Sequence, residues 1–289
     1  MAPAQGLAPL AASIPSPSVD TIHVGPATVH VYALCILAGI GVAIWLTRRR
    51  WMAVGGRSET VMEVALWSVL AGFVGARLYF VLTSWEQVPD DWWGPIAIWD
   101  GGLGIWGGVL GGALAGTWLL RRRGESVARF ADAVAPGLII AQGIGRLGNY
   151  FNQELFGGPT DLPWGLEVDP INRPDQYVDS ATFHPTFLYE MLWDVAFGLA
   201  LVWIGRRFRI RPPGLFALYV AGYSFARIFE ELLRVDPSHR FLGQRVNFYV
   251  AILLCLGGIA WFVWSQRRHL AEGRPPEGPV RPATHSRSR

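Results

Sequence analysis

The chain contains no lysine: all 25 of its basic residues are arginine, among 289 residues. That exclusivity reads as compositional bias and has no single physical cause. Charge of either sign is sparse, at 16% of residues against 51% hydrophobic. A soluble domain rarely combines so few charges with such long apolar runs. The composition therefore excludes one water-surrounded globule and points to helices packed in lipid. Cysteine is nearly absent. Cys35 and Cys255 both sit inside apolar runs, which makes them small core residues, not a disulfide and not a nucleophile. The histidines are scattered and no paired Cys/His spacing exists, so neither a metal nor another cofactor is expected. The first 22 residues lack a basic opening and carry Pro3, Pro9, Pro15 and Pro17, unlike a secretory signal peptide. A net charge of +3 gives no ground for nucleic-acid binding.

What is present is a series of seven apolar runs: Val29 to Leu46, Val61 to Leu82, Leu103 to Leu120, Phe130 to Gly148, Thr186 to Ile204, Leu215 to Phe229 and Val246 to Trp264. Each approaches the roughly 20 residues that a spanning helix needs. The fourth and sixth suffice only if their polar ends face protein. Arginine clusters follow runs one, three, five and seven (Arg48 to Arg50, Arg121 to Arg123, Arg206 to Arg211, Arg267 and Arg268). The Thr83 to Asp100 loop has no arginine but holds Trp85, Trp92, Trp93 and Trp99. Arginine marks the cytoplasmic side and tryptophan suits the interface. The fold class expected is an all-α integral membrane protein of seven transmembrane helices, N-terminus outside and C-terminus cytoplasmic. Residues 1–22 form an external arm and 23–268 the membrane domain. Within it, 149–185 is an external head or lid, too long for a simple connection. Residues 269–289, rich in Pro, Arg and Ser, read as a disordered cytoplasmic tail.

One stretch stands apart. Residues 145–158 read Gly-Arg-Leu-Gly-Asn-Tyr-Phe-Asn-Gln-Glu-Leu-Phe-Gly-Gly, where a hydrophobic helix meets water. If the helix continues to Asn149, Arg146 and Asn149 share a face. Gly143, Gly145 and Gly148 allow a ligand or another backbone to approach closely. Arg146 offers a planar fork of donors for a phosphate or carboxylate. The bland reading is an arginine snorkelling to the interface with Asn as a cap. Four polar residues interleaved with glycines over ten positions favour a site. Run six adds Tyr223, Arg227 and Glu231 at i, i+4 and i+8, near the same outer end. An Arg227–Glu231 pair that merely neutralises charge is the alternative there. Arg77 near the end of run two reads, alone, as a snorkelling side chain. His30 with Tyr32 opens run one, and His184 opens run five. Either histidine suits a base by its chemistry or simply caps a helix.

Residues 145–157 match, at every fixed position, the pattern Gly-Arg-x-Gly-Asn-aromatic-x-Asn-x-Glu-x-x-Gly. In this the chain resembles the prolipoprotein diacylglyceryl transferase family, roughly from Val29 to Trp264. The resemblance extends to the Tyr-x-x-x-Arg-x-x-x-Glu stretch at Tyr223, whose arginine counts among the family's essential residues. It implies transfer of a diacylglyceryl group from phosphatidylglycerol to the lipobox cysteine of a preprolipoprotein signal peptide, leaving a thioether and glycerol phosphate. It also implies a bacterial plasma (inner) membrane location, partnership with the lipid bilayer, and an active site toward the outer face. Under it, Arg146 and Arg227 stabilise the departing phosphate. Asn149, Asn152, Gly157, Tyr223 and Arg77 join them in holding the headgroup. The base stays open among Glu154, Glu231, His30, His184 and Tyr32. Two departures appear: Trp106 stands where many relatives carry histidine, and Phe187 where they often carry glutamine. The rival readings are a lipid or anion transporter (or lipid-binding scaffold), disfavoured by the lack of an internal repeat, and another headgroup enzyme with a hydroxyl acceptor.

Overall fold

A computed structural model describes residues 13–236, 238 and 240–271. The expectations for an arm over residues 1–12 and a tail from 272 onward lie outside the described residues. Seven α-helices follow the seven apolar runs: α1 (Val31–Ala53), α2 (Ser58–Thr83), α3 (Ile105–Arg122), α4 (Val127–Phe151), α5 (Thr186–Arg207), α6 (Gly214–Leu233) and α7 (Val246–Ala271). Most run a few residues past the apolar limits, because helical hydrogen bonding continues into the polar flanks where hydropathy stops. Five of them, α1, α2, α4, α5 and α7, are long and apolar enough to cross a membrane. Glycines and terminal arginines dilute α3, and charged residues dilute the end of α6. Large apolar side chains such as Leu37, Val74, Leu82, Leu192 and Leu253 are exposed on the helix surfaces, as they are on a lipid-facing protein.

The described chain is not strictly all-α. Three two-stranded hairpins punctuate it: β1 (Thr21–Val24) with β2 (Ala27–His30), β3 (Leu166–Glu167) with β4 (Thr182–Phe183), and β5 (Arg240–Phe241) with β6 (Gln244–Arg245). All are antiparallel. His30 accordingly ends β2, and Val31 begins the first helix.

The described residues fall into two compact units, 13–45 with 134–271, and 46–133. In the second unit, α2 and α3 meet along a seam of small residues. A Cβ at Gly107 would stand 2.1 Å from the Gly75 carbonyl oxygen, and one at Gly111 would stand 2.4 Å from that of Ala71. The glycine-rich sequence of α3 thus lets two backbones touch, the packing mode that suits helices in lipid. Gly107→Ala is expected to lower unfolding stability in detergent by roughly 1–3 kcal/mol, the usual cost of overpacking. An unchanged melting curve would show that the seam opens freely. Arg77 also belongs to this unit. It is buried and donates to the carbonyls of Gly94, Pro95, Gly101 and Gly102, which engages four of the five guanidinium N–H groups. It therefore staples the loop between α2 and α3.

In the first unit, glycines again set the helix approaches. A Cβ at Gly39 on α1 would meet the Ala141 carbonyl of α4 at 2.8 Å, and one at Gly258 on α7 would meet Ala221 N of α6 at 2.7 Å. Ile139, Leu201 and Leu215 form the buried centre of α4, α5 and α6. The 152–185 segment builds its own core from Phe156, Leu166, Val168 and Phe183, closed by Phe187 of α5 and by Ile14. Phe187 lies 5.2 Å from Tyr150, ring to ring, so the departure from glutamine fills an aromatic core. The Ile14 backbone bonds to Gly165 and Glu167 on the edge of β3. The described part of the N-terminal arm is thereby tied to the head.

Candidate active site

The polar stretch after Gly145 is shaped by the end of α4. The helix stops at Phe151, and the next turns place Gln153 (φ 49°) and Leu155 (φ 58°) in the left-handed region. Such backbone is uncommon for residues with a Cβ. It is pinned from outside: the Gln153 amide donates to Asp169 at 2.7 Å and its carbonyl accepts from Asp169 N at 2.8 Å. Hydrogen bonds from Gln153 and Ser16 hold the Asp169 carboxyl below the usual range. The chain then turns back so that Glu154 accepts from Asn149 (2.9 Å) and Asn152 (3.1 Å). Asn149, Asn152 and Glu154 are thus one hydrogen-bonded group.

Two glycines of this stretch are required by close contact. A Cβ at Gly148 would stand 2.4 Å from the Tyr32 ring, and one at Gly157 would stand 2.7 Å from His184 Cβ. Gly157 N donates to the His184 carbonyl (2.9 Å) and Gly158 N to that of Leu233 (2.8 Å). The stretch is threaded between the start of α5 and the end of α6. Tyr32, laid over Gly148, lies within electrostatic reach of Glu154 and Arg146.

Arg146 and Arg227 meet at a residue that sequence reasoning did not single out, Glu190. Arg146 Nη2 donates to Glu190 Oε1 at 2.6 Å, and Arg227 Nη1 to Glu190 Oε2 at 3.3 Å. One carboxylate therefore bridges the two arginines. Its side chain is 1% exposed, against 18% for Arg146 and 14% for Arg227, so the carboxylate is the more deeply buried partner. Arg146 also donates to Asn149 at 3.2 Å, using two of its five donors within the described residues. Arg227 pairs further with Glu230 and Glu231. The expected i, i+4 pair is present, but it is one link of a longer chain. Tyr223 lies within electrostatic reach of Arg146, Glu190 and Arg227.

That chain continues through Arg245 and Asp236, which the sequence did not flag, to Arg234 at the end of α6. Arg245 Nε donates to Glu231 at 2.6 Å, and its Nη groups reach the Asp236 carbonyl and carboxylate at 2.7 and 2.9 Å. Arg234 closes on Asp236 at 2.7 Å. Burial alone would raise Asp236, but hydrogen bonds from Arg234 and Arg245 hold its carboxyl below the usual range. The signal for Glu190 was its place one turn into an apolar helix, just after His184 and Tyr189. No local pattern pointed to Arg245, because its partners lie 9 and 14 residues away.

The first unit thus gathers Arg146, Asn149, Asn152, Glu154, Gly157, His184, Tyr223, Arg227, Glu231 and Tyr32. His30 is exposed at the end of β2 and has no side-chain bond among the described residues. Arg77 is engaged by its own loop, in the other unit. Chemically, the centre offers two guanidiniums sharing the Glu190 carboxylate, with Glu230 and Glu231 also on Arg227, donors to spare on Arg146, and an amide–carboxylate group beside them. That arrangement suits an anionic group carrying several acceptor oxygens.

The comparisons with known proteins bear on the family. The sequence model described as prolipoprotein diacylglyceryl transferase matches residues 20–264. Phosphatidylglycerol–prolipoprotein diacylglyceryl transferase 2 of Streptomyces coelicolor is 47% identical over 266 residues, covering 89% of this chain and 82% of that protein. The phosphatidylglycerol–prolipoprotein diacylglyceryl transferase of Cutibacterium acnes is 48% identical over 261 residues, covering 89% and 88%. That of Mycobacteroides abscessus is 45% identical over 278 residues, covering 89% and 79%. With a match over most of its length, and with the glycine–arginine–asparagine stretch folded around one ion-paired centre, this chain belongs to the prolipoprotein diacylglyceryl transferase family.

Proposed function

We propose that the protein transfers the diacylglyceryl group of phosphatidylglycerol to the lipobox cysteine thiol of a preprolipoprotein, the lipidation step of bacterial lipoprotein biosynthesis. The observation that carries this reading is the Arg146–Glu190–Arg227 bridge, which joins the signature stretch to α5 and α6. The thiol sulfur attacks the glyceryl carbon that bears the phosphodiester. A carbon–sulfur bond forms, the carbon–oxygen bond breaks, and glycerol phosphate leaves with the electron pair. The thiol proton passes to a base. A free thiol, with a pKa near about 8.5, attacks well only once deprotonated. Charge grows on the departing phosphate as the bond breaks, and preorganised arginines in a site of low dielectric stabilise that growth. Asn149, Asn152 and Glu154 hold the headgroup side of the site.

All seven helices cross the bacterial plasma membrane in this reading, with the N-terminus outside and the arginine clusters inside. The site then opens toward the outer face. A reporter fused after Arg268 is expected to read cytoplasmic, and one inserted near Asp90 external. The reverse pattern would move the site to the wrong side for an exported substrate.

Trp106 is not the acid or base that the corresponding histidine would be. Its indole nitrogen only donates, it is 49% exposed in the first turn of α3, and it has no hydrogen bond among the described residues. Trp106→Phe is expected to keep activity within about tenfold of wild type, since no donor to a developing charge is lost. A fall of several orders of magnitude with the fold intact would assign the indole a direct role.

The reaction is tested by incubating purified protein with labelled phosphatidylglycerol and a lipobox peptide. A diacylglyceryl mass gain on the cysteine, with glycerol phosphate released, is the expected result. Transfer to a hydroxyl acceptor, or lipid movement without any product, would favour the rival readings.

A further inference from the structure

A hydrogen-bond chain runs from the head to the first turns of α5. The Trp164 indole Nε1–H donates to the Tyr189 hydroxyl oxygen at 3.0 Å, and that hydroxyl lies 3.3 Å from His184 Nδ1. Its direction follows from the groups themselves. An indole nitrogen only donates, so the Tyr189 oxygen accepts from Trp164. The tyrosine's own proton then has one acceptor among the described residues, His184 Nδ1. In the neutral ring, Nδ1 is therefore the bare nitrogen and Nε2 carries the proton. Were Nδ1 protonated, the Tyr189 oxygen would face two donors and its own proton would have no acceptor among the described residues.

Nε2 has no protein partner among the described residues, and the ring is half-buried. The His184 backbone is clamped to the signature stretch in both directions, its N–H on the Gly158 carbonyl and its carbonyl on Gly157 N–H, each at 2.9 Å. The next polar residue along α5 after Tyr189 is Glu190, which bridges Arg146 and Arg227. A ring so fixed presents one constant face to whatever binds there.

We infer that His184 offers Nε2–H as a fixed hydrogen-bond donor to an oxygen of the lipid headgroup phosphate and is not the base that takes the thiol proton. Tyr189 and Trp164 are positioning residues that set its tautomer. The identity of the acceptor oxygen rests on the transferase reading above; the tautomer does not. A base needs an open lone pair, and the single one on neutral His184 is covered by Tyr189.

The test has one arm that needs no turnover. Nitrogen NMR of the full-length protein, labelled with ¹⁵N-histidine, reports which ring nitrogen carries hydrogen. The signal of His184 is identified by its disappearance in His184→Gln. The expected result is an unprotonated Nδ1 and a protonated Nε2, with that preference lost in Tyr189→Phe. A proton on Nδ1 in the wild type overturns the inference. The second arm compares variants. Glutamine places an amide N–H near the position of Nε2, whereas asparagine reaches only that of Nδ1. His184→Gln should stay within about tenfold of wild type in single-turnover rate, while His184→Asn and His184→Ala fall by on the order of 10²–10³. Equal loss in the Gln and Ala variants, with wild-type melting, removes the donor role. If the wild type transfers no diacylglyceryl group at all, the transferase reading fails, and the NMR arm still decides the tautomer.

Discussion

Arg146→Lys and Arg227→Lys are each expected to slow single-turnover transfer by on the order of 10²–10³ at saturating lipid and peptide. Lysine keeps the charge but loses the planar fork. In the structure that fork does two things at once. Arg146 spans Asn149 and Glu190, and Arg227 spans Glu190, Glu230 and Glu231. A single ammonium would satisfy part of this set, and the donors left over, which the proposed reaction assigns to the phosphate, would be lost. A phosphodiester begins with one negative charge and the released monoester carries nearly two, so the interaction strengthens along the reaction and appears in kcat. A normal saturated rate with only a raised peptide KM would show instead that these arginines read the signal peptide.

Glu190→Gln is expected to cost roughly 10²-fold in rate and about 3–5 kcal/mol in stability, because it leaves the Arg146 charge without its one carboxylate among the described residues, while Arg227 keeps Glu230 and Glu231. Each carboxylate oxygen serves one arginine. An amide keeps one acceptor and turns a donor toward the other guanidinium, so one of the two must move away. Exposure of the arginines at 18% and 14% lets solvent relieve part of the charge, which places the stability loss toward the lower end. Glu190→Asp keeps the charge with a shorter reach and should fall between. Single-turnover rates and thermal melts on the same preparations separate the two effects. A Gln variant as fast and as stable as wild type would mean that the bridge does not organise the centre.

How much of this was legible in the sequence depended on distance along the chain. The helices were, because long apolar runs ending in arginine leave few other structures in lipid. So was the grouping of Arg146, Asn149 and Glu154, which lie within nine residues of one another and share a helix end. Tyr223, Arg227 and Glu231 were legible through helical spacing. Glu190 was not: its importance comes from two partners 44 and 37 residues away. Arg77 looked like a headgroup or interface residue because sequence shows its charge and hides the four carbonyls that receive its donors. The head's strands were hidden for another reason. Two residues each is too short for alternation to register, and β3 and β4 are set by cross-chain pairing and a small aromatic core, not by local propensity.

The central claim is that the bond broken joins the diacylglyceryl carbon to oxygen, with the electron pair leaving on a phosphate held by Arg146 and Arg227. Phosphatidylglycerol carrying ¹⁸O only at that bridging position tests it directly. After one turnover with a lipobox peptide, the label is expected entirely in the released glycerol phosphate, with none in the lipidated peptide. Label retained on the diacylglyceryl side would mean that the phosphorus–oxygen bond is cut, and the proposed role of the two arginines in carbon–oxygen cleavage would be wrong.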